Sequence, residues 1–436
     1  MKRIKIMLMA LLCGVLCLMS VPAVCRAEGQ ADKKDWSVYE LMMSGDCGKT
    51  KKDNVYYAVY KVNEDSYILR IYGKGEMQGY ISDTSEENYY GHGPWVGPWY
   101  SSTYTFDKIT KIVVEEGITH IGESALSSMT NPALTVSLPS TLKVIGRYGF
   151  AGSKVKTLDL PAGLEEIGIE AFEHCSLETL VLPKGLKRIG AGAFAFSNLK
   201  SMVIPDSVEM LGQAAFEGTQ KLKKIQLNNT IQVIEDYMFA DSGIGEITLP
   251  NCVTELGNNV FESCSWNLKI HWSKNLKTLG DAVFLNGRIT SMKIPDTVTK
   301  MGIAMFYNCS NLQTVVLSKN VKNIEACTFE SCPALKKVTI PKNVKRIDSY
   351  AFDGCISLVS ITVPDSVTTI GKEAFNGCTK LTSIKLGKGL TKVDASAFQG
   401  CKALKTVKVP KKKYAAYKKL LKKPLAKRKK AKIKKY

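Results

Sequence analysis

SLVSITVPDSVTTIGKEAFNGC, residues 357–378, is a stretch that most of the chain repeats, and this repetition sets the fold. The copy before it reads ALKKVTIPKNVKRIDSYAFDGC, and the copy after it reads KLTSIKLGKGLTKVDASAFQGC. The underlying pattern is L-x-x-I-x-(I/V/L)-P-x-x-V-x-x-I-G-x-x-A-F-x-x-C. Its phenylalanine recurs every 22 or 23 residues, at Phe150, Phe172, Phe194, Phe216, Phe239, Phe261, Phe284, Phe306, Phe329, Phe352, Phe375 and Phe398. A degenerate copy with Leu126 in the same position precedes them.

Each copy has the features of one coil of a repeating structure. The alternation of residues 361–363 predicts a short strand with one buried side, and Pro364 ends that strand because it has no N–H for a ladder. The spacing of Ile370, Ala374 and Phe375 predicts about one helical turn facing inward. A single coil cannot bury its apolar side, so the coils must stack. A fixed period in the twenties with an L-x-x-L-x-L core predicts a leucine-rich repeat solenoid, with one short strand and one short helical or 3-10 turn per coil.

The phrases A-F-x-x-C and I-P-x-x-V-x-x-I-G resemble those of the BspA-type leucine-rich repeat family of bacterial surface proteins. The resemblance covers about residues 41–409. It implies a solenoid first. It also implies a secreted or surface-displayed protein, since some family members are adhesins for host proteins. Ligand-binding residues are not shared across the family, so the resemblance transfers none to this chain.

The first 27 residues are typical of an export signal. A basic start precedes an apolar run over residues 6–18, and Ala27 offers a small residue for cleavage before Glu28. The run is short for a membrane span, and a short uncleaved anchor is the alternative. We therefore expect a secreted or cell-surface-associated protein with no transmembrane segment in the mature chain.

Residues 28–110 do not repeat and are expected to form a small β module that caps the first coil. The alternation in residues 67–71 predicts a strand. Trp95 and Trp99 are expected in the core of this cap, and a carbohydrate-binding aromatic platform is the alternative. The solenoid itself is expected over residues 111–410.

One residue per coil lies between the two inward-facing strand positions and is expected to face outward. This set is Asp159, Val181, Val203, Gln226, Thr248, His271, Lys293, Val316, Thr339, Thr362, Lys385 and Lys408. Solenoids commonly bind partners through such a surface, although each residue is equally compatible with an ordinary solvated strand. The binding candidates are His271, Lys293, Thr339, Thr362, Lys385 and Lys408.

Seven cysteines share one position, three residues after the phenylalanine: Cys175, Cys264, Cys309, Cys332, Cys355, Cys378 and Cys401. Export favours disulfides, and neighbouring coils bring such residues within bridging range. Other coils, however, carry Ser or Thr here, as expected for a small buried residue. We therefore favour inward-packed thiols. Metal ligation is disfavoured, because the cysteines are about 23 residues apart and no CxxC or paired histidines occur.

No catalytic motif is visible in the sequence. The four histidines, His92, His120, His174 and His271, lie in no recognisable nucleophile or metal motif. The glycines belong to the repeat and form no phosphate-binding loop. We expect neither enzymatic activity nor a cofactor.

Residues 411–436 carry 13 Lys, one Arg and no acid, and so supply most of the chain's formal net charge of +20. One interpretation is a C-terminal cap helix followed by a solvated tail. Another, compatible with it, is retention on an anionic surface such as wall polymers, glycosaminoglycans or lipid headgroups. Nucleic acid is disfavoured by export. The residues expected to act electrostatically are Lys411, Lys412, Lys413, Lys427, Arg428, Lys429 and Lys430.

The sequence thus favours an exported binding scaffold whose repeats contact protein or glycan partners, with adhesion as the expectation from the family. The alternative is an envelope-associated structural protein that its basic tail holds on anionic wall polymers.

Overall fold

The computed structural model describes residues 35–80, 98–99, 106–265, 268–428 and 430–436. Leu41–Tyr436 forms one unit. Of the preceding unit, Met1–Glu40, the structure describes a 3-10 turn, Trp36–Val38, in which the Ser37 amide donates to the Asp35 carboxylate. The expected export signal, Trp95, His92 and Lys429 lie outside the described residues.

The N-terminal strands are β1 (Glu40–Asp46), β2 (Asn54–Asn63) and β3 (Ser66–Glu76), with β2 and β3 antiparallel. Strand β3 then pairs in parallel with the first coil, whose two strands are β4 (Ile109–Val114) and β5 (Ile118–Ile121). One long strand thus covers both strand edges that the first coil would otherwise expose. The predicted small β cap is confirmed.

The indole of Trp99 is fully buried in this cap, as predicted. It makes edge contacts with Tyr57 and Tyr80, at ring-centroid distances of 5.7 and 5.6 Å. A buried ring cannot serve as a platform for a sugar, so the platform interpretation is wrong for Trp99. The 3-10 turn Phe106–Lys108 leads from this region into the first coil.

The solenoid contains two columns of short parallel strands. The sequence pattern predicted only the first column, with one strand per coil. The first column continues from β4 through β6 (Thr135–Ser137), β10 (Ser201–Val203), β12 (Lys224–Gln226), β14 (Glu246–Thr248), β16 (Lys269–His271), β18 (Ser291–Lys293), β20 (Thr314–Val316), β22 (Lys337–Thr339), β24 (Ser360–Val363), β26 (Ser383–Leu386) and β28 (Thr406–Val409). The second continues from β5 through β7 (Val144–Ile145), β8 (Glu166–Ile167), β9 (Arg188–Ile189), β11 (Met210–Leu211), β13 (Val233–Ile234), β15 (Glu255–Leu256), β17 (Thr278–Leu279), β19 (Lys300–Met301), β21 (Asn323–Ile324), β23 (Arg346–Ile347), β25 (Thr369–Ile370) and β27 (Lys392–Val393).

The segment around each phenylalanine is not helical, which differs from the expected helical or 3-10 turn. Residues two before and two after the phenylalanine have positive φ in nearly every coil, as at Tyr148 (53°) and Gly152 (68°) around Phe150. A helix cannot continue through such residues. The segment instead forms two successive turns, and its amides reach the next coil: the Phe150 N–H donates to the carbonyl of Ala171 at 2.8 Å. Hydrogen bonds between coils replace those within a helix.

The twelve phenylalanine rings form one continuous stack, the phenylalanine spine. Successive ring centroids are 5.2 to 6.1 Å apart, with interplanar angles of at most 22°. All twelve rings are almost fully buried. The leucine-rich repeat solenoid predicted from the sequence is confirmed, with this spine at its centre.

All ten cysteines in the described residues are unpaired thiols. The recurrent ones are buried beside the spine, and five of their thiols, those of Cys309, Cys332, Cys355, Cys378 and Cys401, donate to the phenylalanine carbonyl of the preceding coil. Cys309 and Cys332 bond to Phe284 and Phe306 in this way, each at 3.0 Å. Burial raises the pKa of Cys332 to about 12. The structure thus has the inward-packed thiols that the sequence favoured.

The C-terminal residues are folded onto the last coil. A 3-10 turn, Lys411–Lys413, leads into helix α1 (Tyr414–Leu420), and the chain then adds β29 (Lys432–Lys435) in parallel to β28. Tyr417 is buried, and its hydroxyl donates to the carbonyl of Gly387 and accepts from the amide of Leu390. The cap helix was predicted. The prediction of a solvated tail after this helix is wrong, because apolar side chains in this segment cover the last coil.

We expect Tyr417→Phe to lower the free energy of unfolding by about 1–3 kcal/mol, since it leaves a buried carbonyl and a buried amide unpaired. Tyr414→Phe is the matched control, because the structure shows no hydrogen bond from the Tyr414 hydroxyl to any described residue. Urea unfolding followed by circular dichroism measures both. Equal midpoints for the two variants would contradict the assigned role of Tyr417.

Phe306→Ala should destabilise the protein by about 3–5 kcal/mol, because it opens a cavity in the spine between two stacked rings. Phe196→Ala is the control: that ring is 41% exposed and lies outside the spine, so a change of about 0.5 kcal/mol is expected. Chemical denaturation of both variants and of the parent protein measures these changes in the free energy of unfolding. A small loss at Phe306 would show that the spine is not a main source of stability.

Stability should also fall in alkali. Burial raises the pKa of Cys332 and Cys401 from 9.0 to about 12, so these thiols stabilise the fold fully below pH 9 and progressively less as the pH rises toward 12. The urea midpoint of the parent should therefore drop between pH 8 and pH 10.5. A Cys332→Ala/Cys401→Ala variant should show a smaller drop over the same interval, whatever its starting stability. An unchanged drop would contradict this cause.

Candidate functional site

The residues predicted to face outward form one exposed row along the first strand column, with Asp159 and Val181 in two coils that have no strand at this place. All twelve are exposed: Asp159, Val181, Val203, Gln226, Thr248, His271, Lys293, Val316, Thr339, Thr362, Lys385 and Lys408. In each three-residue strand from β10 to β22 the middle residue points inward, as Met202 does between exposed Ser201 and Val203. The structure thus brings the six binding candidates into one line, the third-position row.

A second exposed row lies beside it and was not identified from the sequence. It consists of the first residue of each first-column strand from β10 to β28, because side chains two apart on a strand share one side. Thr157 and Thr179 extend it as an isolated bridge in two coils that have no strand there. Its members are exposed or half-exposed: Thr157, Thr179, Ser201, Lys224, Glu246, Lys269, Ser291, Thr314, Lys337, Ser360, Ser383 and Thr406. The same alternation that predicted the third-position row could have revealed it. The two rows together are the strand face.

Successive strands hold these rows in parallel register. Ser291, Met292 and Lys293 pair with Thr314, Val315 and Val316 of the next coil, which in turn pair with residues 337–339. Neighbouring side chains of one row are therefore about 4.8 Å apart. The strand face is an ordered array in which each coil contributes two side chains.

The middle of the strand face contains a local ion cluster. The Glu246 carboxylate accepts hydrogen bonds at 2.7 Å from Lys269 Nζ and lies 2.7 Å from His271 Nε2. These contacts, the one from Lys269 first, lower the pKa of Glu246 to about 2. His271, a binding candidate, is thus already engaged by a neighbouring side chain.

The two ends of the strand face differ in chemistry. Near the N-terminal end, Val181 and Val203 are 84% and 57% exposed. At the other end, Lys385 is in register with Lys408, and Lys408 with Lys434 of the C-terminal strand β29. The sequence could not place Lys434 in this row, because only the fold brings β29 beside β28.

The residues expected to act electrostatically surround the C-terminal cap. Lys411, Lys412, Lys413, Lys427 and Lys430 are exposed, and Arg428 is half-buried. These described candidates belong to the C-terminal cap. The lysine that ends the third-position row, Lys434, is not one of them. The cap therefore displays its cations on an ordered surface.

The other histidines in the described part of the chain, His120 and His174, lie outside the strand face. His174 stacks on Phe196 at 4.8 Å, and burial, with the nearby carboxylates of Glu170 and Glu217, raises the pKa of Glu173 to about 7. Among the described residues, no three His, Cys, Asp or Glu side chains are grouped so that they could hold a metal ion. In the same part of the chain, no helix has the length and apolar character needed to cross a membrane.

Two solved bacterial proteins share this architecture. A leucine-rich repeat protein from Eubacterium ventriosum matches with a TM-score of 0.57 and 25% identity, over 82% of this chain and 95% of that one. A leucine-rich repeat protein from Bacteroides ovatus matches with a TM-score of 0.57 and 23% identity, over 87% of this chain and 98% of that one. A search of curated proteins finds no match.

A family model agrees with these likenesses. The model described as BspA type leucine-rich repeat region matches residues 100–214, 187–313 and 302–423, which together span most of the chain. The matched region includes the phenylalanine spine and nearly all of the strand face. The chain therefore belongs to the BspA type leucine-rich repeat family, whose fold is that of a repeat-based scaffold.

Proposed function

We propose that this protein is an exported scaffold that binds a protein or glycan partner through its strand face and mediates adhesion at the cell surface. The observation that carries the proposal is a contrast between the two sides of each strand. The inward residues are almost uniform, as in Met202, Ile225 and Ile247, whereas the outward ones change from coil to coil. Packing dictates the inward residues and leaves the outward ones free to recognise a partner.

The strand face is suited to binding because it is already ordered. Its backbone is held by hydrogen bonds between coils, so a partner need not first order a loop. About a dozen strands at ~4.8 Å spacing extend over roughly 55 Å, which is long enough for a standard protein interface.

Export and surface association complete the proposal. The basic and apolar start of the chain supports export, and the BspA type family supports surface association. The expected role is binding without a cofactor. A structural role in the envelope, in which basic residues hold the protein on anionic wall polymers, is the second candidate, and the exposed lysines of the C-terminal cap favour it.

A paired substitution on two faces tests the strand-face assignment. Thr339→Asp/Thr362→Asp adds two charges to the third-position row in consecutive coils. Thr368→Asp/Thr391→Asp adds the same charges beside the second strand column, at positions that are also exposed. We expect the first variant to lose at least about tenfold in affinity for a partner found on an array of matrix proteins and glycans, because it places unpaired carboxylates in the interface. The second variant should bind like the parent.

Circular dichroism and urea unfolding must show that both variants remain folded. If the two variants lose affinity equally, or if only the second one does, the strand face is not the binding surface. If the parent binds nothing on the array, the adhesion proposal itself fails.

A further inference from the structure

The positive charge of the protein is concentrated at one end of the solenoid. Residues 380–436, which form the last two coils and the C-terminal cap, carry 21 Lys or Arg residues and a single acid, Asp394. Their net charge of +20 equals the formal net charge of the whole chain. The charge is therefore shared between the coils and the cap and is not a property of residues 411–436 alone.

Three of these lysines form a straight row on the strand face. Lys385, Lys408 and Lys434 occupy the same register position on the consecutive strands β26, β28 and β29, and all three are exposed. Their spacing is about 4.8 Å, which places like charges directly beside one another. Such an arrangement is unfavourable in an isolated sheet. This lysine row therefore calls for a reason other than stability.

Elsewhere on the solenoid, some lysines near this face pair with an acidic residue one coil away. Lys200 pairs with Glu178 at 2.6 Å, and Lys269 pairs with Glu246 at 2.7 Å. For Lys408 and Lys434 the structure shows no ion pair with any described carboxylate. Lys385 Nζ lies 4.2 Å from the ring centroid of Tyr436, a contact that orients the ammonium without neutralising it.

Protection of a sheet edge explains only part of this row. Lysines on an edge strand prevent the unwanted addition of another strand, and β29 is the last strand of its column. Lys408 and Lys385 lie one and two strands inside that edge. Their charges are not needed to protect it.

Hydroxyl groups run beside the lysine row. Ser383 and Thr406 lie in register in the first-position row, which Lys432 of β29 extends. The end of the strand face thus combines a line of cations with two neighbouring hydroxyl groups, which can donate and accept hydrogen bonds. Sulfate or carboxylate groups match the cations, and sugar hydroxyls match these two hydroxyl groups.

We propose that this end of the strand face is a binding site for a linear anionic polysaccharide, which lies along Lys385, Lys408 and Lys434. The assignment rests on the proposed binding role of the strand face and names one ligand class for one end of it. The surface is open and extended, so it suits a polymer better than a small anion. Lysines act as point charges and tolerate varied anion geometry.

The test compares two triple variants of the full chain that remove equal charge. Lys385→Gln/Lys408→Gln/Lys434→Gln neutralises the lysine row. Lys418→Gln/Lys419→Gln/Lys422→Gln neutralises three exposed lysines in or just after helix α1, outside the strand face. The probe is a heparin oligosaccharide, with poly-L-glutamate and polyphosphate as polyanions that lack sugar hydroxyls.

We expect the row variant to bind the heparin probe about 100-fold more weakly than the parent, from the typical effect of three lysines at an anionic surface. Its affinity should also depend less on salt. The control variant should lose less than about threefold. The row variant should unfold at a urea concentration no lower than the parent, because repulsion within the row is removed.

Equal losses in the two variants would overturn the proposal, since charge anywhere on the cap would then suffice. Binding of poly-L-glutamate or polyphosphate as tight as that of the heparin probe would also overturn it, because the sugar hydroxyls would play no part. If the parent binds no polysaccharide but still binds another partner through Thr339 and Thr362, this inference fails while the proposed function stands.

Discussion

One coil of this solenoid cannot bury its own apolar side, so each coil is stable only when it is stacked on its neighbours. The hydrogen bonds of both strand columns, and many of those of the turns, run from one coil to the next. The phenylalanine spine is likewise a set of contacts between coils. Stability is thus a property of neighbours, as expected for a quasi-one-dimensional protein.

A structure of this kind has two vulnerable ends, and the chain covers each by different means. At the start, the single strand β3 pairs with both strands of the first coil. At the finish, α1 and β29 cover the last coil, with Tyr417 and Leu421 buried against it. The basic C-terminal segment is consequently both a structural cap and a carrier of charge. Deleting it would disturb folding and charge together, so substitutions of single exposed lysines are the more informative changes.

The same constraint separates residues that pack from residues that can bind. Inward positions must match the neighbouring coil, so they remain apolar or small, as with the thiols that bond to spine carbonyls. Outward positions do not have to match the neighbouring coil, so their residue types vary, from exposed valines at one end to lysines at the other. A regular scaffold therefore presents an irregular surface, which is the basis for the proposed binding role.

The repeated pattern of one coil is enough to predict the solenoid, its period, the inward-facing phenylalanines and thiols, and the exposed third-position row. It misjudged the segment around each phenylalanine, where paired residues of positive φ turn the backbone toward the next coil instead of into a helix. Only the tertiary structure placed β29 beside β28 and so aligned Lys434 with Lys385 and Lys408. The pairing of β28 with β29 occurs once and joins two segments with different sequence patterns, so the repeat could not predict it.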